Sequence, residues 1–252
     1  MWFLVPIAGG LGLALYGLSR RASPHDPSAP STPSPAASGA APPPQDAYGL
    51  DGYAGIFGAT DKTALPAARA QAIAVKLGVT PAVVQAIAHV ESRGSDGAIR
   101  FEPHIYLKRR PDLLKGLKRP DGTEGVIPYT ATGPKKPWDK DPAHTGKAAF
   151  ELAFALDRDA AVESSSFGRF QVLGLWLKKI HGGDPLVGFV RWRGDPASVS
   201  DALLVAWFKD NKPALAAAKQ QDWRTFARIY NGPGRVDLYA GLLQKAHETA
   251  LA

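Results

Sequence analysis

The 252-residue chain contains no cysteine. Disulfides, thiolate metal sites and cysteine nucleophiles are therefore excluded. Its six histidines (His25, His89, His104, His144, His181 and His247) show no ligand spacing of the His-x-x-x-His kind, so no metal is expected. The run Gly9-Gly10-x-Gly12 lies inside an apolar segment, without the strand and lysine that a phosphate loop needs. No cofactor is expected. Strand signals are few, and no internal repeat is visible.

What is abundant is positive charge. Lys and Arg number 30 against 23 acidic residues, a net charge of +7. Such a surface favours an acidic partner: nucleic acid, anionic lipid or anionic cell-wall polymer. No recognised nucleic-acid motif accompanies the charge, so a nucleic-acid partner is not expected.

The N-terminal segment from Trp2 to Leu18 carries no charge over seventeen residues. As a helix it would reach roughly 25 Å, at the short end of what spans a bilayer. It lacks the leading Lys or Arg of a cleavable signal peptide, and no small-x-small cleavage site directly follows it. Residues 1–21 therefore read as an uncleaved membrane anchor, with a signal peptide as the alternative. Arg20 and Arg21 would by the positive-inside rule keep the body cytoplasmic, although two charges are a weak signal. Residues 22–47 form a spacer. Twenty of the 25 residues from Ser23 to Ala47 are Pro, Ala, Ser or Thr, and eight are proline. Such a stretch buries too little apolar surface to fold, and extended polyproline would reach up to roughly 75 Å.

Residues 48–252 read as one globular, mainly α domain with few short strands. Helical periodicity covers residues 66–77, 80–93, 147–162, 170–180, 198–211, 222–230 and 236–251, and the best strand candidate is 100–107. The best-defined helix has Thr80 as N-cap, Pro81 in its first turn and Gly94 at its C-terminal end. Between residues 108 and 146 periodicity fails, and the segment reads as a basic surface excursion, either solvated or reaching over a groove.

Within residues 80–93, Val83, Val84, Ile87, Val90 and Glu91 fall on one face. A carboxylate on an apolar face has a raised pKa, because burial disfavours its charge. The negative end of the helix dipole acts in the same sense. The product is a carboxylic acid that keeps its proton near neutral pH, which is what a glycosidase needs to protonate a departing glycosidic oxygen. The competing reading is a surface glutamate at a frayed helix end. Two further segments stand out. Ser164-Ser165-Ser166-Phe167-Gly168-Arg169-Phe170-Gln171 offers small hydroxyls, a glycine and an amide for close approach of a ligand, or else a helix cap. Tyr230-Asn231-Gly232-Pro233-Gly234 marks a sharp break between helices and places polar tips there.

A helix ending in Glu91-Ser92, then Ser165-x-x-Gly168-x-x-Gln171, then Tyr230-Asn231-Gly232-Pro233-Gly234 resembles the lysozyme superfamily, and its elements are similar to those of soluble lytic transglycosylases. Phe101-Glu102-Pro103-His104 resembles instead the Phe-Glu-x-His signature of a bacterial and phage N-acetylmuramidase family. The segments 160–168 and 222–227 do likewise. The likeness spans roughly residues 66–247. It implies a lysozyme-like α+β fold and cleavage of the β-1,4 bond between N-acetylmuramic acid and N-acetylglucosamine in peptidoglycan glycan strands.

Carried over residue by residue, the resemblance makes Glu91 the catalytic acid. Ser166 and Gln171 would line the cleft, and Tyr230 and Asn231 would face Glu91. Glu102 and His104 would hold the cleft wall, or Glu102 would supply a second carboxylate. Phe167 stands where the family usually has Trp, and Phe170 where Gly is common. The expectation is a monomeric, endolysin-like enzyme, membrane-anchored and facing the cell wall on the periplasmic side or in a virion. The alternatives are a lytic transglycosylase that leaves anhydro ends, and a non-catalytic wall-binding or virion structural protein. Tryptophans 138, 176, 192, 207 and 223 would suit sugar stacking or core packing.

Overall fold

The computed structural model describes residues 63–92, 95–113 and 147–251. The expected anchor (1–21), the spacer (22–47) and most of the basic excursion lie outside these residues. Among the described residues no single helix is long and apolar enough to cross a membrane.

Helix α1 (Ala67–Leu77) ends where Gly78 turns left-handed at φ 65° and donates its N–H to Ala74 O. That conformation costs glycine little and other residues more. Helix α2 (Pro81–Ser92) opens on a proline, whose missing N–H is not needed in a first turn. Val84, Ile87 and Ala88 are buried on the face that also carries Glu91. Strand β1 (Ile99–Phe101) follows, then helix α3 (Pro103–Arg109) and a 3-10 turn at Pro111–Leu113. The expected strand over 100–107 thus stops at Phe101, because Pro103 cannot donate to a ladder but suits a helix start.

Helices α4 (Lys147–Leu156) and α5 (Arg158–Glu163) replace the single helix expected over 147–162. Asp157 breaks it: its backbone is extended, and its carboxylate accepts from Ala160 N at 3.0 Å as an N-cap. Strands β2 (Ser165–Phe167) and β3 (Val172–Leu173) complete a small antiparallel sheet in the order β1-β2-β3. Five residues of the expected helix over 170–180 are spent on the β2–β3 turn and β3, and α6 begins at Leu175 (Leu175–Ile180). At the turn Gly168 has φ 71° and Gln171 has φ 48°. A Cβ on Gly168 would lie 2.5 Å from Ser200 Oγ, so the position admits no larger residue without movement.

Helices α7 (Pro185–Gly194), α8 (Pro196–Asp210), α9 (Lys212–Gln220), α10 (Trp223–Tyr230) and α11 (Val236–Leu251) follow. Asp184, Asp195 and Asp222 cap the first, second and fourth of these through N–H groups of the first turn. The observed architecture is mainly helical with one short sheet. Helix α11 packs along α2, and α10 packs on α11.

The core has two aromatic centres. Phe167 meets Trp192 edge-on at 5.1 Å and Phe189 at 5.8 Å, beside Phe101, Phe150 and Phe154. Trp207, Phe208, Phe226 and Tyr230 form the other under α8 and α10. Trp192, Trp207 and Trp223 are therefore core residues, whereas Trp176 is partly exposed, with the Lys179 ammonium 4.7 Å from its ring centre. Trp138 lies outside the described residues. Phe167 and Phe170 are both fully buried, so these two departures from the family pattern fall in packing rather than on an open surface.

A charged cluster ties the first helix to the sheet. Arg69 on α1 donates to Asp96 and to Asp201 on α8, at 2.6–3.0 Å, and to Ala197 O at 2.8 Å. Arg169 in the β2–β3 turn grips Asp96 through two bonds of 3.0 Å and donates to Thr63 O. Two arginines meet two aspartates, so formal charge cancels.

Candidate active site

Glu91 lies in the last turn of α2, half-buried, and its Oε1 accepts from Asn231 Nδ2 at 2.9 Å. Asn231 is held by its position: it caps α10, its N–H bonds Ala227 O at 2.8 Å, and it is 1% exposed. Gly232, at φ 82°, then turns the chain sharply away. Burial pushes the Glu91 carboxyl up to about 7, against the opposing pull of the Asn231 bond and the Arg100 charge. The helix end adds its own repulsion to the ionised form.

Glu102 follows β1 and forms the N-cap position of α3. Its backbone N–H extends the ladder to Ser164 O at 3.0 Å. The carboxylate is buried and pushed up to about 7 by burial, with Arg100 pulling the other way. Arg100 Nε stands 3.2 Å from Glu102 Oε1, and His104 Nδ1 stands 3.7 Å from Oε2.

The sheet sorts side chains by face. Ile99, Phe101, Phe167 and Val172 point to the core, and the register sets Arg100 opposite Ser166, and Ser166 opposite Leu173, on the other face. Ser166 thus shares a face with Arg100. Gln171 is placed differently from a simple cleft residue: its amide donates to Gly168 O at 2.9 Å and braces the turn. Tyr230 is buried and donates to Phe170 O at 2.5 Å, so its hydroxyl fixes the same turn. Burial raises its phenol well above the ordinary value, and the nearby Glu91 charge adds to this.

Two residues that motif reading had not singled out belong here. Arg100 feels both carboxylates. Tyr239 on α11 is raised above the ordinary phenol value by burial first, then by the Glu91 charge, with Glu102 also contributing. The arrangement therefore unites Glu91, Glu102, Arg100, Asn231 and Tyr239 from α2, β1, the α10 end and α11. A separate cleft of about 810 Å³ opens between α2 and α11, with Leu65, Ala88, Val90, Leu242 and Ala246 among its lining, and none of the expected site residues borders it.

The family model for N-acetylmuramidase matches residues 80–251, which includes every residue of this site. The chain belongs to the N-acetylmuramidase family. It is similar in structure to an endolysin of the Burkholderia phage AP3, with a TM-score of 0.52 and 25% sequence identity, over 75% of this chain and 72% of that chain. No curated protein matches the chain. The muramidase is thus a phage- or bacterial-type member of the lysozyme-like superfamily, and a peptidoglycan-degrading enzyme.

Proposed function

We propose that this muramidase cleaves the β-1,4 bond between N-acetylmuramic acid and N-acetylglucosamine, with Glu91 as general acid. The observation that carries the proposal is a half-buried carboxyl at a helix C-terminus, raised to about 7 and held by Asn231. Near neutral pH such a group retains its proton and can pass it to the bridging oxygen as an oxocarbenium-like sugar forms.

Glu102 then serves as the second carboxylate, which orients water on the opposite face of the sugar. Its neighbours differ from those of Glu91, which is held by Asn231. It stands at the positive end of α3 and in ion-pair contact with Arg100, whereas Glu91 stands at the negative end of α2. Burial raises both to about 7, and the base role is assigned to Glu102 because the Arg100 cation stands in contact with it. Enzymes that use two carboxylates give one the acid role and the other the base role. Ser166, on the Arg100 face of the sheet, and His104, beside Glu102, would contact the glycan, and Gln171 and Tyr230 would act by bracing the turn beneath it. In the full protein, residues 1–21 would anchor this domain to a membrane, with residues 22–47 as a spacer, so that it faces the wall as a monomer.

Incubation of the protein with purified peptidoglycan and weighing of the soluble products tests the reaction. Reducing N-acetylmuramic acid ends support the proposal. Anhydro ends would replace it with transglycosylation, and absence of soluble product would leave only a wall-binding role.

A further inference from the structure

Strand β1 is three residues long, and only its middle residue, Arg100, faces away from the core. Because side chains alternate along extended chain, Glu102 two residues on emerges on the same side as Arg100. Both are held by backbone: Arg100 pairs with Ser166, and the Glu102 N–H bonds Ser164 O. The side chains meet at 3.2 Å, with the Arg100 side chain 33% exposed and that of Glu102 4% exposed. Glu102 Oε1 is nevertheless without a hydrogen bond among the described residues, so the contact is one of charge against charge rather than an aligned bond. The groups near this pair are Glu91 from α2, His104 from α3, Ser166 from β2 and Tyr239 from α11, with Tyr230 of α10 acting on Glu91 and Arg235, just before α11, acting on Tyr239.

We infer that Arg100 is a positioning residue for the reaction: its contact with Glu102, on the sheet face away from the core, favours the carboxylate form there while Glu91 donates the proton. This rests on the roles proposed above for Glu91 and Glu102. The physical case is local. A buried carboxylate without a compensating charge keeps its proton, and two protonated acids would leave nothing to orient water. Among the described residues Arg100 is the cation in contact with Glu102 whose charge does not depend on pH, since His104 is charged only when protonated. Since the contact is electrostatic, a lysine should serve in its place where a neutral residue cannot, in contrast to a site that needs the guanidinium fork.

The test is the pH profile of kcat/KM for peptidoglycan solubilisation by the full chain, from pH 4 to 9, for wild type, Arg100→Lys, Arg100→Gln and Glu91→Gln. Removal of the charge makes both carboxylates harder to ionise, so Arg100→Gln should move the acidic limb to higher pH by about one unit, a loss of about tenfold at pH 6 that recovers toward pH 8. Arg100→Lys should keep the shape of the wild-type profile. An equal loss at every pH for Arg100→Gln, or an unchanged profile, overturns the inference, as does a lysine variant that shifts as far as the glutamine variant. If Arg100→Gln does not fold by circular dichroism, a carboxyl ¹³C titration of the wild-type protein decides, since Glu102 must lose its proton before Glu91, and the reverse order sinks the idea. Retained activity in Glu91→Gln would instead remove the acid assignment on which the inference stands, whereas an inactive Glu91→Gln beside an unshifted Arg100→Gln would fault the Arg100 role alone.

Discussion

Two groups of sheltered charge lie five residues apart in sequence and behave oppositely. Around Asp96, two arginines meet two aspartates through a dense set of hydrogen bonds. Burial alone would raise the Asp96 carboxyl, but bonds from Arg69 and Arg169 outweigh burial and hold it below the ordinary value, whereas Asp201, bonded to Arg69 alone, stays raised by burial. Around Glu91 and Glu102, two carboxylates share the field of one arginine, and burial wins. The difference teaches how to tell an anchor from a reactive centre. A carboxylate gripped by two arginines stays ionised, while one short of compensation leaves a proton near the pH at which it can move.

The comparison can be broken by emptying either group. Glu91→Gln keeps shape and removes the proton, so wall lysis should fall by about 10³-fold, read from the release of soluble glycan, with cooperative unfolding retained. Lysis near the wild-type rate would place the acid elsewhere. Asp96→Ala turns the balanced cluster into an unbalanced one. It strands Arg169, which is 3% exposed, and should cost about 3 kcal/mol in urea unfolding. Below its melting temperature the variant should still lyse walls. A loss under about 1 kcal/mol would show that the cluster is ornament on an already stable fold.

The same contrast predicts a dependence on pH. Glu91 in the unfolded chain ionises near the ordinary 4.5 and in the folded protein at about 7. Between these values the unfolded state has lost a proton that the folded state keeps, so stability falls as pH rises through the window and levels off above it. Glu91→Gln escapes this penalty. It should be more stable than wild type by about 3 kcal/mol at pH 8, with the gain gone below about pH 4.5. Equal stability at pH 8 would mean that Glu91 is well solvated. The smallest effect is expected for Tyr230→Phe, which removes only the bond to Phe170 O and should cost about 1 kcal/mol in thermal or urea unfolding.

Much of this was legible before any coordinates. Apolar periodicity with Thr80 and Pro81 marked α2, whose expected end at Gly94 lies outside the described residues, and the odd carboxylate on its buried face pointed to Glu91. Asn231 was found from a turn motif, and the fold shows why it matters: 140 residues from Glu91 in sequence, it reaches that carboxylate because α10 ends there. Other parts were hidden for physical reasons. Strands of two or three residues are too short to show alternation, and β1 and β2 pair across more than sixty residues. Helix α7 buries Val187, Gly188, Phe189 and Trp192, so it lacks the polar stripe that reveals an amphipathic helix. Arg100 looked like one basic residue among many, since its importance comes from register with Ser166. Tyr239 lies near Glu91 only because α11 packs along α2.

The packing of α11 on α2 has a consequence for timing. Glu91 is synthesised early, but the helix that walls in its surroundings begins at Val236. A nascent chain still threading through the ribosome, or a message cut short before that helix, would carry the glutamate without its shelter and with an ordinary affinity for its proton. On the role proposed for Glu91, lytic competence arrives only after synthesis has passed α11, and unfinished products of this gene should be harmless to the cell that makes them.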